Sequence, residues 1–262
     1  MRLKTVIHVH THYSYDANAA PAEVLETAGR QGVDVLAITD HDTIAGALEA
    51  RDHVARRAAR SRASADGQPP ASRPVRVIVG EEISARDGHV IGLFLRERVP
   101  PRLPAEETAR RIRAQGGVVL VPHPACRLCE ASLSYAAVQR LLPWLDGLEV
   151  CNAQNPLLWE AWRAARFARR HGVTAFAGAD THLRGYLAGC WQELTPFDGP
   201  ETFKVSLQQA VLRPGRFAPG YFLRMGAWHA GEKLTGQPLA GCGAAFHRSH
   251  AGPAGVAEPG EP

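Results

Sequence analysis

Short apolar runs alternate with longer amphipathic stretches along the first 212 residues of the chain. The apolar runs are rich in β-branched residues and predict buried strands at residues 3–9, 33–39, 75–79, 90–95, 118–121, 147–150 and 173–177. The amphipathic stretches predict helices at residues 22–31, 43–60, 104–115, 136–142, 157–171 and 201–212. Because strands and helices alternate, the pattern predicts an α/β fold with a parallel sheet and helical crossovers.

Polar residues follow the C-terminal ends of these predicted strands. In a β/α barrel the C-terminal ends of the strands share one face, and the loops at that face build the functional site. About seven β/α units fit into the chain, one fewer than the common eight. The pattern therefore favours a β/α barrel whose site lies at the C-terminal ends of the strands.

Two segments do not fit the alternating pattern. Residues 61–74 are small, polar and interrupted by proline, which predicts a flexible surface insertion. Residues 213–262 form a tail rich in Gly, Ala and Pro with little periodicity, which predicts poor order. The expected organisation is one barrel domain over residues 1–212, which contains the insertion and is followed by the tail.

The composition supports a globular domain and argues against several other classes of protein. With 262 residues, 45% of them hydrophobic, the chain can bury a large core. Its net charge of +4 is a small excess, and no block of like charge predicts a nucleic-acid-binding tail. No apolar run is long enough to cross a membrane, and no signal peptide is recognisable before the first strand. We therefore expect a cytoplasmic protein without membrane association, and no feature indicates an obligate protein partner.

The five cysteines are an odd number and show no disulfide-framework spacing. Cys126 and Cys129 form a Cys-x-x-Cys pair, a motif that can bind zinc or support redox chemistry. Because no second pair matches it, we interpret this pair as structural or incidental. Cys151 follows the sixth predicted strand, where either its thiolate could be a ligand or the neighbouring Asn152 could line a pocket.

The strongest candidate functional residues are imidazoles and carboxylates that follow predicted strands. His8 and His10 lie two residues apart, so they project from the same face of the first strand. Asp180 and His182 repeat this spacing after the seventh strand, and His123 follows the fifth strand between two prolines. Imidazole and carboxylate groups are ligands for divalent metal ions, so these residues predict a metal site.

Further candidates are weaker when each is considered alone. His41 follows the second strand, and the adjacent Asp40 could either bind metal or orient a ligating imidazole. Glu81 and Glu82 follow the third strand and face opposite ways on an extended chain, so one of them points into the site. The full candidate set also includes one loop residue and one residue before a strand, and it consists of His8, His10, Asp16, His41, Glu82, His89, His123, Asp180 and His182.

This set is too large for a single ion. A carboxylate such as Glu82 can bridge two ions, so two or three divalent metal ions fit the number of candidate ligands. Closely spaced ions held by His and carboxylate groups are typical of phosphoryl transfer or hydrolysis. The mixture of ligands suits Mn, Fe or Zn and does not distinguish among them.

The ordered set of motifs resembles the PHP family, named for polymerase and histidinol phosphatase. The matching pieces are His8-Val9-His10-Thr11 with Ser14-x-Asp16, Ile38-Thr39-Asp40-His41-Asp42, Gly80-Glu81-Glu82-Ile83, Pro122-His123-Pro124, Glu149-Val150-Cys151-Asn152 and Ala179-Asp180-Thr181-His182. The resemblance covers about residues 5 to 212. It implies a distorted seven-stranded (β/α)7 barrel with a trinuclear metal site that hydrolyses phosphoesters.

The resemblance also implies particular assignments within the candidate set. In the family pattern Gly-x-Glu supplies a ligand, which selects Glu82 over Glu81, and a His opening the next strand favours His89. The ligand in the first loop is best matched by Asp16, with His12 as the alternative. The region after His182 is similar to the C-terminal segment of stand-alone family members.

These observations favour a metal-dependent phosphoesterase that acts on a small phosphomonoester or nucleotide. We expect a metal-activated hydroxide to attack phosphorus, with Asp180 and His182 as catalytic residues, and either His182 or a metal-bound water to protonate the leaving oxygen. Arg184 and Asn152 are the predicted substrate contacts, since a bidentate Arg suits phosphate. Two alternatives stay open: a nuclease acting on short oligonucleotides with the same metals, and a non-catalytic metal-binding module.

Overall fold

The structure is a computed structural model, and it describes residues 1–63, 74–129, 131–187, 189–215 and 219–235. The described strands are β1 (Leu3–Val9), β2 (Val35–Ile38), β3 (Arg76–Ala85), β4 (Gly88–Leu93), β5 (Val118–Val121), β6 (Gly147–Asn152), β7 (Ala175–Thr181), β8 (Trp191–Leu194) and β9 (Val211–Arg213). The described helices are α1 (Pro21–Arg30), α2 (Ala45–Ala63), α3 (Ala105–Ala114), α4 (Tyr135–Leu141), α5 (Leu158–His171), α6 (Pro200–Gln208) and α7 (Pro219–Thr235).

Strands β1 to β7 close into a barrel that is surrounded by helices. The strand order is β2-β3-β4-β5-β6-β7-β1, and an additional pairing between β1 and β2 closes the ring. All neighbouring pairs are parallel except those made by β4, which is antiparallel to both β3 and β5. The predicted seven-stranded α/β barrel is therefore confirmed, with one reversed strand as its distortion.

The reversed strand results from a hairpin between β3 and β4. The strand predicted at residues 75–79 in fact continues to Ala85, turns at once, and pairs back so that Ala85 faces Gly88 and Ser84 faces His89. Because β4 runs in the opposite direction, its N-terminal end lies at the rim where the parallel strands have their C-terminal ends. A residue that opens β4, such as His89, can therefore reach the same site as residues that follow the other strands.

The interior of the barrel is apolar in one half and polar in the other. Buried apolar side chains of the strands fill one half, together with Phe203 and Leu207 from α6. Phe176 is fully buried in this cluster, and burying such a side chain stabilises the fold by about 1.5–3 kcal/mol. A second apolar cluster lies between the outer face of the strands and the helices, where α1 contributes Val24 and Ala28.

The helix boundaries follow from local signals in the sequence. Pro21 opens α1, and Glu23 accepts a hydrogen bond from the Ala20 backbone N–H at this end. Gly172 ends α5 in a left-handed conformation with φ of 66°, which glycine adopts without steric cost. The helix predicted at residues 201–212 ends earlier, at Gln208, because Val211–Arg213 forms β9 and pairs with β8.

The C-terminal part of the described chain contains elements that the sequence pattern did not predict. Strand β8 pairs with the first half of β1 and extends the sheet beyond the barrel. Helix α7 lies within residues 213–262, the tail predicted to be poorly ordered, and its Tyr221 and Trp228 pack against Leu183. Residues 236–262 of the tail and residues 64–73 of the predicted insertion lie outside the described residues. Among the described helices, none combines the length and apolar character needed to cross a bilayer.

Candidate metal centre

The polar half of the barrel interior holds all of the predicted metal ligands, and they lie in mutual contact. Nearly all are buried, while Asp16 is half-buried at the mouth. The ligand atoms form groups in which they lie within 4.8 Å of one another, and these groups are His10–Asp16–His41–His182, His8–His10–Glu82, His8–His123–Asp180 and His41–Glu82–His89. The overlap among the groups shows that the barrel gathers these side chains into one cluster.

Glu82 occupies the centre of the cluster. Its Oε1 lies 2.9 Å from His89 Nδ1 and 3.1 Å from His123 Nε2. Its Oε2 lies 3.1 Å from His8 Nε2 and 3.2 Å from His10 Nε2. Within 3.2 Å each carboxylate oxygen therefore faces a different pair of imidazoles, and His41 Nδ1 lies 3.5 Å from Oε2. This arrangement suits a carboxylate placed between two cations.

Glu81, the neighbour of Glu82, points away from the cluster. Its Oε2 accepts a hydrogen bond of 2.8 Å from the backbone N–H of Val99. Burial raises the pKa of Glu81 to about 8, and the hydrogen bond from Val99 opposes this shift. The structure thus brings Glu82 and not Glu81 to the site, as the family pattern implied.

Two aspartates extend the cluster toward the mouth of the barrel. Asp16 Oδ2 lies 3.1 Å from His182 Nε2 and 3.3 Å from His41 Nε2. Asp180 Oδ1 lies 3.4 Å from His8 Nε2. His12, the alternative to Asp16, packs beside Tyr13 and does not belong to the groups of ligand atoms among the described residues.

His8 and His10 both enter the interior, but the strand between them is irregular. Ile7 packs in the interior cluster whereas Val9 packs on the outside, and the pairing register of β1 shifts between these positions. His8 itself has a φ of 68°. A bulge therefore lies at His8. This bulge directs His8 and His10 to the same side, whereas the sequence predicted that regular alternation along the strand would do so.

Two other predicted ligands also have left-handed backbones. His123 has a φ of 27° and Asp180 has a φ of 48°. Residues other than glycine seldom adopt such conformations, which cost about 1–3 kcal/mol each when they are strained. Three of the eight described non-glycine residues with positive φ, His8, His123 and Asp180, are therefore residues that the fold aims into the cluster.

The electrostatics of the cluster depend on close contacts between imidazoles and carboxylates. Burial alone would lower the pKa of His41, but Glu82 and Asp16 raise it to about 9. Burial and the neighbouring His182 lower the pKa of His10 to about 3. Burial would raise the pKa of Glu82, yet the surrounding imidazoles hold it well below its usual value. Carboxylates in this cluster therefore stay charged and keep some of the imidazoles protonated.

The donor set fits divalent cations. The buried atoms His10 Nε2, His41 Nδ1 and His89 Nδ1 face carboxylate oxygens at 2.9 to 3.5 Å but make no well-formed hydrogen bond among the described residues. Buried polar atoms without a partner are costly, and a cation placed between imidazole and carboxylate would satisfy both. Imidazole nitrogens with carboxylate oxygens suit Mn, Fe or Zn.

Ligand orientation is set by residues outside the cluster. Asp40 accepts hydrogen bonds from Ser14 Oγ and from the backbone and hydroxyl of Thr11. Ser14 Oγ lies 3.0 Å from His10 Nδ1. Since Ser14 donates its proton to Asp40, it can accept from His10 Nδ1–H, which leaves Nε2 free to bind metal. Asp40 lies outside the groups of candidate ligand atoms in the described residues, and its hydrogen bond with Ser14 suits the orienting role that the sequence left open.

Glu149 performs the same task for His8. Its Oε1 lies 3.1 Å from His8 Nδ1, and its Oε2 accepts hydrogen bonds from the His123 backbone N–H and from Asn152 Nδ2. The sequence placed Glu149 in a family motif, but no local signal indicated its contact with His8. Gly178 makes the contact possible, because a Cβ at this position would overlap Glu149 Oε1.

The two predicted substrate contacts differ from the ligands in their surroundings. Asn152 Nδ2 donates to both Glu149 and Asp180, so this amide positions carboxylates. Arg184 is exposed, and its Nε lies 3.2 Å from Glu23 Oε2. The structure does not bring Arg184 into the cluster, and its contact with a substrate phosphate stays a prediction.

Two further residues near His182 were not predicted. Gln154 Nε2 lies 3.1 Å from His182 Nδ1, and it also donates to the hydroxyl of Tyr221 from α7. The Tyr221 hydroxyl accepts a hydrogen bond of 3.2 Å from the His182 backbone N–H. The C-terminal helix thus contributes directly to the mouth of the site.

The cysteines lie around the site rather than in the cluster. Cys126 and Cys129 form a disulfide in the loop that follows His123. A disulfide at this spacing is also the oxidised form of a redox Cys-x-x-Cys pair, so the structural or incidental role of the two cysteines stays a prediction. Cys151 Sγ lies 3.4 Å from Cys190 Sγ, so it contacts a second thiol and does not belong to the groups of ligand atoms in the described part of the chain.

Sequence comparison identifies relatives of this chain. A profile of the PHP domain matches residues 7–140. An uncharacterised protein of Methanocaldococcus jannaschii is 34% identical over 164 residues, which cover 58% of this chain and 84% of that protein. A second uncharacterised protein of the same organism is 31% identical over 109 residues, which cover 40% of this chain and 46% of that protein.

Solved structures resemble the fold at low sequence identity. One is a two-domain protein from Bacteroides vulgatus that contains a predicted PHP-like metal-dependent phosphoesterase; it matches with a TM-score of 0.63 and 16% identity. That match covers 82% of this chain and 65% of the other, so the chain spans just under two thirds of that protein. An amidohydrolase from Chromobacterium violaceum, solved with bound sulfate and no metal, matches with a TM-score of 0.52 and 19% identity, over 82% of this chain and 99% of the other.

Proposed function

The chain belongs to the PHP domain family, and we propose that it is a metal-dependent phosphoesterase that hydrolyses a small phosphomonoester or nucleotide. The observation that carries the proposal is the position of Glu82, whose two oxygens each face a separate pair of imidazoles within 3.2 Å. A single carboxylate between two sets of ligands supports two or three adjacent ions. Adjacent ions are suited to phosphoester hydrolysis because they neutralise the phosphate oxygens and lower the pKa of water.

The proposed ligands are the residues gathered in the cluster, and they would hold Mn, Fe or Zn. The groups His8–His10–Glu82, His8–His123–Asp180 and His41–Glu82–His89 surround the carboxylate, and His10–Asp16–His41–His182 lies at the mouth. Asp180 contributes negative charge beside His8 and receives a hydrogen bond from Asn152. The complete set supports an enzyme over a non-catalytic metal-binding module, which would not need every ligand.

His182 fits a ligand better than a free proton donor. Its Nε2 lies 3.1 Å from Asp16, and its Nδ1 lies 3.0 Å from the backbone carbonyl of Asp180. Both ring nitrogens are therefore engaged by protein groups, and Nε2 faces the cluster. We therefore assign delivery of the proton to a water at the mouth of the site, beside the half-buried Asp16, and not to His182. That water would protonate the leaving oxygen.

The test combines metal analysis with a substrate panel. The purified chain is loaded separately with Mn, Fe or Zn, its metal content is measured, and release of phosphate or nucleotide is followed from phosphomonoesters, mononucleotides and short oligonucleotides. We expect phosphate release from a small phosphomonoester. Release from oligonucleotides alone would replace the proposal by the nuclease alternative, and bound metal without any turnover would indicate the non-catalytic module.

A further inference from the structure

A cavity of about 410 Å³ adjoins the metal centre on the side of α5. It shares three of its lining residues, His123, Glu149 and Asn152, with the cluster and its supporting residues. Most of its other lining is apolar and includes Pro124, Val150, Ala153, Leu158, Ala161 and Trp162. A cavity of this size and apolar character next to a catalytic centre is typical of a site for a small organic group.

Glu160 is an exception to the apolar lining of this cavity. It lies in the first turn of α5 and is 4% exposed. Its Oε2 accepts a hydrogen bond of 2.7 Å from Asn155 Nδ2. Its Oε1 is buried and has no hydrogen-bond partner among the described residues.

A purely structural role accounts for only one of the two oxygens of the Glu160 carboxylate. The bond from Asn155 to Oε2 fixes the loop between β6 and α5, and an apolar residue or a shorter amide could pack at the same place. A buried carboxylate oxygen without a donor destabilises the folded chain, so contacts within the fold do not account for it. A ligand that brings an N–H group into the cavity supplies the missing donor.

Trp162 provides a second feature that suits an organic group. Trp162 lines the cavity and is 61% exposed, so it lies at the opening. Exposed aromatic rings at the opening of an apolar cavity offer a flat surface on which another ring can stack. The position of Trp162 therefore favours a ring-containing group over a short aliphatic one.

We propose that this cavity binds the leaving group of the substrate, and that it selects an aromatic group carrying an N–H donor directed at Glu160 Oε1. This inference rests on the proposed phosphoesterase function, because the phosphate would lie at the metal cluster while the rest of the ester occupies the cavity. The shared residues His123, Glu149 and Asn152 connect the two sites. The substrate class is thus an aryl or heteroaryl phosphomonoester, or a nucleotide whose base carries an amino group.

The first experiment compares two phosphate esters that differ only in the donor. 4-Aminophenyl phosphate and 4-methylphenyl phosphate have the same shape and leaving groups of similar acidity, so their uncatalysed reactivities are similar. We expect the metal-loaded protein to hydrolyse the amino ester with a kcat/KM about tenfold higher, since an N–H of its amino group then pairs with a buried carboxylate. Equal values for the two esters would overturn the inference while leaving the phosphoesterase function intact.

Substitution of Glu160 tests the assignment of the selective group. In Glu160→Gln the amide oxygen can still accept from Asn155, and the amide NH₂ then faces the cavity as a donor. We expect the preference for the amino ester to fall to about one or to reverse, with the metal content unchanged. Glu201→Gln is the matched control, because Glu201 is an exposed carboxylate in the first turn of α6 that does not line the cavity. A preference retained in Glu160→Gln would contradict the proposal.

A binding measurement separates this inference from the proposed function. Titration calorimetry with 4-aminophenol and 4-methylphenol requires no turnover, and it can be repeated after metal removal. Tighter binding of 4-aminophenol that is lost in Glu160→Gln would support the cavity assignment even if no phosphate were released, and in that case only the phosphoesterase function would fail. Equal binding of both phenols to the wild-type protein would count against the cavity assignment directly.

Discussion

Glu149 Oε1 lies 3.1 Å from Nδ1 of His8, on the opposite edge of the imidazole from the nitrogen that faces the cluster. The contact fixes which ring nitrogen carries the proton and so presents Nε2 to a metal ion. We predict that Glu149→Gln lowers metal affinity about 10–100-fold, the range found when such supporting carboxylates are removed. Competition with a chelating dye measures this affinity.

The matched control for this prediction is Glu81→Gln. Glu81 is also a fully buried carboxylate in the barrel, but it bonds to Val99 and points away from the cluster. Since burial raises the pKa of Glu81 to about 8, it is largely neutral at pH 7, and an amide should replace it with little effect on metal affinity. Equal affinities for Glu149→Gln and the wild-type protein would rule out the orienting role.

Gly46 in α2 provides a second prediction. A Cβ at this position would overlap Asp40 Oδ2 and the hydroxyl of Thr11, which belong to the hydrogen-bond chain that orients His10. Gly46→Ala should therefore weaken metal binding and lower the free energy of unfolding, although alanine is the better helix former. Chemical denaturation and dye competition measure the two effects.

Gly29 in α1 is the control for Gly46, because nothing lies within 4 Å of a Cβ built there. Gly29→Ala should raise the free energy of unfolding by about 0.5–1 kcal/mol through helix propensity alone. If both substitutions stabilised the protein equally, the packing argument for Asp40 would be wrong.

Metal binding should release protons at neutral pH. The carboxylates Glu82 and Asp16 raise the pKa of His41 to about 9 in the metal-free protein, so His41 is protonated at pH 7. A metal ion binds only the neutral imidazole and must displace this proton. Affinity should therefore rise with pH and level off above about 9, and the calorimetric enthalpy at pH 7 should depend on the ionisation enthalpy of the buffer.

The same shift makes a prediction about the stability of the metal-free protein. A His whose pKa is raised on folding stabilises the protein fully below its unfolded pKa of 6.5, and this contribution is lost as pH rises through 9. The contribution of His41 to the free energy of unfolding should thus decrease between pH 6.5 and 9. A binding enthalpy independent of buffer at pH 7 would contradict both statements.

Loss of a ligand should abolish turnover without unfolding the barrel. We expect the His10→Ala and Asp180→Asn proteins to release no measurable phosphate from substrates that the wild-type protein hydrolyses. Each substitution removes a candidate ligand that contacts more than one other residue of the cluster. Asp52→Asn, which changes an exposed carboxylate on α2, should retain full activity. Circular dichroism checks the fold, and unchanged turnover in either ligand variant would refute the site.

The candidate ligands could be predicted because their signals are local. Each is an imidazole or carboxylate that borders a strand, and the barrel brings such positions to one rim. The alternation of an extended chain separates Glu81 from Glu82 in the same way, and the structure places them on opposite sides. The sequence shows the type of each residue and its position relative to a strand. These two properties are enough to predict the candidate ligands of a site that is built at the ends of strands.

Other features were not predicted. The reversed direction of β4 follows from a hairpin whose first strand continues beyond the apolar run at residues 75–79. Asp87-Gly88 in its turn is a local hairpin signal, but the predicted strand ended before it. The bulge at His8 depends on how β1 pairs with both β2 and β7. Helix α7 lies in a segment of weak periodicity. Its Tyr221 meets His182 only after the barrel has folded, because the two residues are far apart in sequence. The bulge and the contact of α7 depend on residues that are distant in sequence, so local patterns do not predict them.

The left-handed backbones of His8, His123 and Asp180 have an evolutionary consequence. At each position glycine would relieve the strain, so the side chain that supports metal binding is kept at a cost to the stability of the fold. A lineage that no longer needed the metal would gain stability by exchanging these residues for glycine before it lost the barrel. Glycine at these positions in a related chain would therefore identify a protein that kept the barrel fold and lost metal binding.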